Sequence, residues 1–287
     1  VSISGQTPAL APGLYVVSTP IGNLRDVTLR ALDVLSAADL LACEDTRISG
    51  RLLAHYEIDR PLTAYHEHNA REARPKLLER LAGGAAIALI SDAGTPAVSD
   101  PGYKLIAEAR SAGIPVHAVP GASALTAALA VAGLPTDAVA YLGFLPAKAA
   151  ARRRKLRPFA GVPASLVVYE SPHRLAKTLA DLAAVLGPRE AALCRELTKR
   201  FEEVRRGSLP DLAERYGDAT VKGEIVLVIA PPAEESSRIA PDDADSALKA
   251  ALETLSVKEA AAAVAWLTGK SRRSLYQRAL ALKSGED

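Results

Sequence analysis

Long hydrophobic runs are missing from this 287-residue chain. No apolar stretch reaches the roughly 18 residues that a membrane-spanning helix requires, so a helical membrane protein is excluded. The first twelve residues carry no basic segment followed by a long apolar core; no secretory signal is visible, and cytoplasmic residence is the default expectation. Cysteine is scarce. Cys43 and Cys194 both sit in strand-like apolar settings, which suits buried reduced thiols rather than a disulfide or a nucleophile. Histidine is scarce too: of His55, His66, His68, His117 and His173, only His66 and His68 have a spacing that could bring two ligands together, and no cysteine joins them. No metal centre is expected. An excess of one charge is also lacking, with 35 Lys and Arg against 33 Asp and Glu, and a net charge of +2 does not by itself argue for a nucleic-acid partner.

What is present is the composition of a globular protein, 49% hydrophobic and 24% charged, long enough for two or three compact units. Strand and helix patterns alternate from Leu14. Apolar runs at Leu14–Val17, Leu40–Cys43, Ala85–Ile90 and Ile114–Val119 read as strands, and helical spacing recurs near 27–37, 48–56, 71–81, 103–112 and 124–132. This rhythm favours a largely parallel sheet covered on both faces. Gly133-Leu-Pro135 marks a change of unit. A second α/β unit follows, with strands near 139–142, 165–169, 191–194 and 224–229 and helices near 175–186 and 209–215. The expected division is a flexible N-terminus (1–12), a first α/β domain (13–133), a second (134–231), a polar proline-bearing linker (232–244) and a helical tail (245–287). In the tail, Ser256 and Ser271 stand as N-caps before two helices in a helix-turn-helix pattern.

Three strand-to-helix junctions of the first unit are dense in small residues: Ser18-Thr-Pro-Ile-Gly-Asn23, Ser91 to Gly102, and Pro120-Gly-Ala-Ser-Ala124. Strands of a parallel sheet end on one edge, so such loops gather over one crevice and present backbone N–H and C=O groups to a ligand. Glycine and alanine permit close approach, and proline fixes the loop before binding. A nicotinamide site is disfavoured. Glu44-Asp45 stands where a ribose-binding acid belongs, yet the spaced glycines are missing and Pro20 occupies the turn. The same absence disfavours the usual Rossmann-type methyltransferase. Neither a Walker sequence nor a hydrolase nucleophile elbow occurs.

Taken together, Thr19-Pro-Ile-Gly-Asn-Leu-Arg-Asp26, Glu44-Asp-Thr-Arg47, His66-Glu-His-Asn69, Ser91 to Gly102, Pro120 to Ala124, Gly143-Phe-Leu-Pro146, Tyr169-Glu-Ser-Pro-His-Arg174 and Glu196-Leu-Thr-Lys199 resemble the ribosomal RNA small-subunit methyltransferase I family. That family is a branch of the tetrapyrrole methylase superfamily. The resemblance runs from about Leu14 to Ile229, and the helical tail is similar as well. One position departs: Ala70 stands where a glutamate is expected after His-Glu-His-Asn.

The resemblance implies a two-domain tetrapyrrole-methylase fold with a mostly parallel first sheet, a mixed second α/β domain and a small helix-turn-helix-like tail. It implies S-adenosyl-L-methionine as cofactor and 2′-O-methylation of cytidine-1402 in the decoding region of 16S rRNA. It also implies the small ribosomal subunit as partner, and a homodimer. Carried over by position, cofactor contacts fall on Pro20, Ile21, Gly94, Thr95, Pro96, Val98, Ser123, Ala124 and Tyr169. Transfer to a ribose hydroxyl needs the proton removed or its charge offset. Asp92, Asp100 and Lys199 are the first candidates, with Glu44, Asp45 and Glu170 behind them, and either aspartate could instead cap or brace its loop. Arg152, Arg153, Arg154, Arg174 and Arg200 are expected to meet RNA phosphate. Competing readings are a tetrapyrrole C-methyltransferase, which has little need of the basic clusters, and a non-catalytic ribosome-binding factor, which has little need of three cofactor-style loops.

Overall fold

The computed structural model describes residues 10–99, 102–233, 244–252, 255–268 and 270–284. Most of the expected flexible N-terminus, most of the expected linker, and the candidate Asp100 therefore lie outside the described residues.

The first unit alternates strand and helix: β1 (Gly13–Val17), α1 (Leu29–Ala37), β2 (Leu40–Cys43), α2 (Thr46–His55), β3 (Leu62–Ala64), α3 (Ala70–Ala82), β4 (Ala86–Ile90), α4 (Tyr103–Ser111), β5 (Val116–Val119) and α5 (Ala124–Ala132). Its five strands pair in the order β3-β2-β4-β1-β5, all parallel. Burial on both faces explains why β2 and β4 are continuous apolar runs rather than alternating ones. Helix starts follow local chemistry. Thr28 caps α1 by accepting the Ala31 N–H, and Asp45 caps α2 by accepting the Arg47 N–H. Ala31, Val34, Leu35 and Ala38 recur at helical spacing and bury one side of α1 against the sheet.

The second unit holds β6 (Val139–Phe144), α6 (Ala149–Leu156), β7 (Ser165–Glu170), α7 (Leu175–Leu186), β8 (Glu190–Arg195), β9 (Glu203–Ser208), α8 (Leu209–Arg215) and β10 (Ile225–Ile229). The order is β6-β7-β10-β8-β9; β6 and β7 are parallel and the remaining pairs antiparallel, so this sheet is mixed. Three further helices, α9 (Ala244–Leu252), α10 (Val257–Thr268) and α11 (Arg272–Ser284), bury Leu248, Val264 and Leu275 in a core of their own. No helix among the described residues is long and apolar enough to cross a membrane.

The two sheets meet through α5. Ala128 and Ala132 are fully buried against Val167, Ala192, Cys194, Val226 and Val228 of the second sheet, and Ile21 from the loop after β1 joins the same cluster. Only small side chains let a helix lie this close to strands. Gly133 ends α5 in the left-handed conformation, with φ +61°. This packing brings the C-terminal edge of the first sheet opposite the second sheet and leaves a crevice between them.

Candidate active site

The three small-residue loops form one hydrogen-bonded wall. Thr19 and Gly94 pair reciprocally, Thr19 N–H to Gly94 O at 2.9 Å and Gly94 N–H to Thr19 O at 3.1 Å. The Thr19 hydroxyl donates to Ser91 O at 3.0 Å, the Ser91 hydroxyl to Gly94 O at 3.0 Å, and the Ser18 and Thr95 hydroxyls lie 2.9 Å apart. The Thr95 hydroxyl reaches Ala122 O, tying in the loop after β5. A Cβ on Gly94, whose φ is +86°, would come within 3.2 Å of Ile21 Cγ2, and one on Gly121 within 3.0 Å of Ser18 Cβ. Glycine is needed for the loops to touch. Ala97 and Ser99 also hold positive φ, 68° and 63°, conformations that cost of order 1–3 kcal/mol each and persist only where their surroundings dictate them.

This wall faces the second unit across a cavity of about 310 Å³. Ile21, Gly94, Thr95, Val98, Ser123, Ala124 and Tyr169 all line it, together with Phe144, Ser171 and Pro172, which lie in the quoted motifs without an assigned role, and Glu224, which lies in none of them. Pro20 lines a neighbouring chamber instead, and Pro96 lines neither. Tyr169 packs edge-on against Tyr141 and Phe144 with ring centroids 5.1 and 5.7 Å apart. Burial, reinforced by Tyr141, pushes the Tyr169 phenol well above its ordinary value, so it remains neutral. Glu170 is buried with its carboxylate spent: Oε1 accepts from the Ser171 N–H at 2.7 Å, Oε2 from the Thr178 hydroxyl at 2.5 Å, and Arg174 Nε lies 3.3 Å away.

The catalytic candidates separate. Asp92 Oδ1 accepts the Asp45 N–H at 3.0 Å and so braces the loop after β2. Its charge, after burial, raises the pKa of Glu44. Asp45 is bound to Arg47, which holds its carboxyl down at about 2. Lys199 sits on the β8–β9 connection with Nζ 2.8 Å from Glu196 Oε1 and 3.3 Å from Glu224 Oε2. Burial pulls its pKa down, but the two carboxylates outweigh burial and hold it above the ordinary lysine value. The two carboxylates thus favour the charged form of Lys199, which suits it to offset charge.

The basic residues expected on RNA are not alike. Arg152 is buried inside the second unit: Nε donates to Asp181 Oδ2 at 2.7 Å, and the guanidinium also reaches the carbonyls of Pro146, Ala147 and Lys177. Every good donor is used internally, which corrects its assignment to RNA. Arg153 is half-exposed but held by Asp181 at 2.5 Å, and Arg174 is tied to Leu145 O and Glu170. Arg154 and Arg200 are exposed, the latter 5.5 Å from the Phe201 ring centroid. In the tail, Arg278 pairs with Asp245. Among the described residues no group of three or more His, Cys, Asp or Glu side chains is placed to hold a metal.

Comparison with known proteins gives the family and the fold. Residues 13–213 match the family model described as Tetrapyrrole (Corrin/Porphyrin) Methylases, and residues 239–283 match the RsmI C-terminal HTH domain. A uroporphyrin-III-C-methyltransferase from Thermus thermophilus, solved with S-adenosyl homocysteine, superposes with a TM-score of 0.54 at 24% identity, covering 76% of this chain and 97% of that one. A conserved hypothetical protein from Aeropyrum pernix K1 superposes with a TM-score of 0.59 at 19% identity, over 96% of this chain and 98% of its own. Both share the fold. In sequence, the ribosomal RNA small subunit methyltransferase I of Mesorhizobium japonicum is 52% identical over 98% of each chain. That of Vibrio cholerae is 44% identical over 94% of this chain and 95% of its own. The chain belongs to the ribosomal RNA small subunit methyltransferase I family.

Proposed function

We propose that the crevice binds S-adenosyl-L-methionine and transfers its methyl group to a ribose 2′-hydroxyl of 16S rRNA within the small ribosomal subunit, at cytidine-1402. The observation that carries the reading is the cavity of about 310 Å³ built jointly by three rigid small-residue loops and the aromatic face of the second sheet. Its surroundings fit the cofactor. Close-packed glycines leave backbone groups accessible, Tyr169 and Phe144 offer flat apolar surface to an adenine ring, and the Thr95, Ser123 and Ser171 hydroxyls supply polar anchors. Ile21, Gly94, Thr95, Val98, Ser123, Ala124 and Tyr169 would hold it.

When bound, the sulfonium supplies an electrophilic methyl carbon. The chain's own part is positioning: the reacting oxygen must approach in line with the carbon–sulfur bond, and loops locked by reciprocal hydrogen bonds fix that geometry before the acceptor arrives. Exposed Arg154 and Arg200 are suited to RNA phosphate, and the helical tail is a second surface for the ribosomal substrate. Family membership supports residence in the cytoplasm, and the resemblance of the motifs supports a homodimer. The residue ranges 13–133, 134–231 and 245–287 are the divisions that suit this reading, the first two enclosing the cofactor.

The test incubates the protein with methyl-labelled S-adenosyl-L-methionine and small subunits lacking the modification. Label in 16S rRNA is expected. Label only in a small tetrapyrrole, or in no acceptor, overturns the reading.

A further inference from the structure

The cofactor cavity has a neighbour. A second chamber of about 470 Å³ opens between the loop after β1 and helix α2, lined among others by Pro20, Leu24, Ser49, Arg51, Asp92 and Lys199. The residues that line both chambers are Ile21, Ala93 and Glu224. Two of these are apolar, so among the described residues Glu224 is the ionisable side chain on the shared wall.

Its place is fixed from several sides. The Glu224 N–H donates to Glu196 Oε1 at 3.0 Å, and the Glu196 N–H donates to Glu224 O at 3.0 Å. Glu196 and Thr198 hold positive φ, 50° and 66°, so the segment that presents Lys199 to Glu224 is itself strained. Two glycines make room for the carboxylate–lysine group. A Cβ on Gly223, whose φ is +90°, would lie 2.3 Å from Glu196 Cδ, and one on Gly22 would lie 2.4 Å from Lys199 Cγ. The lysine stem thus lies flat across the first unit's loop while its ammonium reaches the second unit's carboxylates.

Among the described residues, two other carboxylates beside the chambers are already engaged. Glu170 is saturated by Thr178, Ser171 and Arg174, and Asp92 is engaged by the Asp45 N–H. Glu224 is 71% exposed and meets Lys199 through Oε2 alone. The second chamber suits a nucleoside. Leu24 and Ile48 offer exposed apolar surface for a base, and the buried Ser49 Oγ has no hydrogen-bond partner beyond the weakly polar Cys43 thiol beside it.

We propose that the acceptor nucleotide enters through this second chamber and that Glu224 accepts the proton of its ribose hydroxyl, an inference that rests on the methyl transfer proposed above. The hydroxyl oxygen bonds to the methyl carbon, the carbon–sulfur bond breaks with its pair left on sulfur as a neutral thioether, and the proton ends on the Glu224 carboxylate. Lys199 orients that carboxylate and offsets the charge developing on oxygen. The charged groups facing Glu224 are Lys199 and Glu196 on the β8–β9 connection, with Asp92 and Arg51 across the chamber.

The experiment compares Glu224→Gln, which keeps size and hydrogen bonding, with the unaltered protein. Removing a general base costs on the order of 100-fold or more in kcat. That loss is expected with calorimetric affinities for S-adenosylhomocysteine and for small subunits kept within about twofold. A second variant, Leu24→Trp, fills the acceptor chamber; it is expected to abolish transfer while S-adenosylhomocysteine binding persists. A kcat for Glu224→Gln within about threefold of the unaltered protein overturns the assignment of the base, and unchanged transfer by Leu24→Trp overturns the chamber. If the unaltered protein transfers no methyl to RNA, the underlying reading fails and takes this inference with it.

Discussion

Replacing Arg152 by alanine separates a structural role from an RNA-binding one. The guanidinium is 3% exposed, as is the Asp181 side chain it meets, and it donates to three backbone carbonyls as well as to the carboxylate. Truncation leaves Asp181 in the interior with half-exposed Arg153 as its remaining cationic partner and strips the Pro146, Ala147 and Lys177 carbonyls of a donor. Breaking a buried ion pair from one side costs about 3–5 kcal/mol. Arg153 still neutralises part of the charge, so the lower end, about 3 kcal/mol, is expected. For a unit of about 100 residues that corresponds to a fall of roughly 12–24 °C in the melting of the second sheet. The assay is thermal and urea unfolding followed by circular dichroism, alongside small-subunit affinity at two salt concentrations well below the melt. Equal salt slopes for variant and parent are expected, because a buried arginine neutralises no phosphate. A melting temperature within about 2 °C of the parent, coupled to a shallower salt slope, would refute the buried role.

Gly94→Ala places a Cβ about 3.2 Å from Ile21 Cγ2 at a φ of +86°, so the loop after β4 must shift; at least a tenfold loss of S-adenosylhomocysteine affinity is expected by calorimetry, against unchanged affinity if the loop does not hold the cofactor. Burial, and then Glu202, push the Cys194 thiol up to about 11, so native protein at pH 8 is expected to resist alkylation there and to react fully once unfolded. Because that raised value keeps the neutral thiol in the folded state, folding disfavours the thiolate; the contribution to stability is full below the ordinary thiol value of 9.0, declines as pH rises above it, and is lost by about 11. Prompt labelling at neutral pH would show that β8 is not the buried strand described.

Much of the first unit was legible because its strands are continuous apolar runs with helices of ordinary length between them. α5 and α7 run over the residues that their spacing predicts, 124–132 and 175–186. Elements without such a run were missed. β3 has three residues and follows Pro61, and β9 is the polar edge strand Glu203–Ser208, held against β8 in part by the Arg195–Glu203 ion pair. Helix α6 carries Arg152, Arg153 and Arg154 in succession, and a sequence does not declare which of three arginines faces inward. The signal lay elsewhere: Asp181 interrupts the buried face of α7 and demands an internal cation.

At the site, the gathering of three loops was legible from their composition, since backbone contact between loops needs residues without bulk. Seven of the nine residues carried over by resemblance line one cavity; Pro20 and Pro96 shape loops without facing it. Glu224 was not legible. It reads as the first residue of an apolar strand, and its setting comes from Glu196 and Lys199, which are distant in sequence and brought to it by the turn at Glu196, with room made by the adjoining Gly223. Lys199 read as a candidate for handling the hydroxyl proton because its carboxylate partners could not be seen.

The most direct test of the central claim is alkaline digestion of 16S rRNA labelled by this protein from S-adenosyl-L-methionine. A methylated 2′-oxygen cannot attack the adjacent phosphodiester, so the account predicts label in an alkali-resistant dinucleotide. Label released in a mononucleotide would place the methyl group on a base and contradict it.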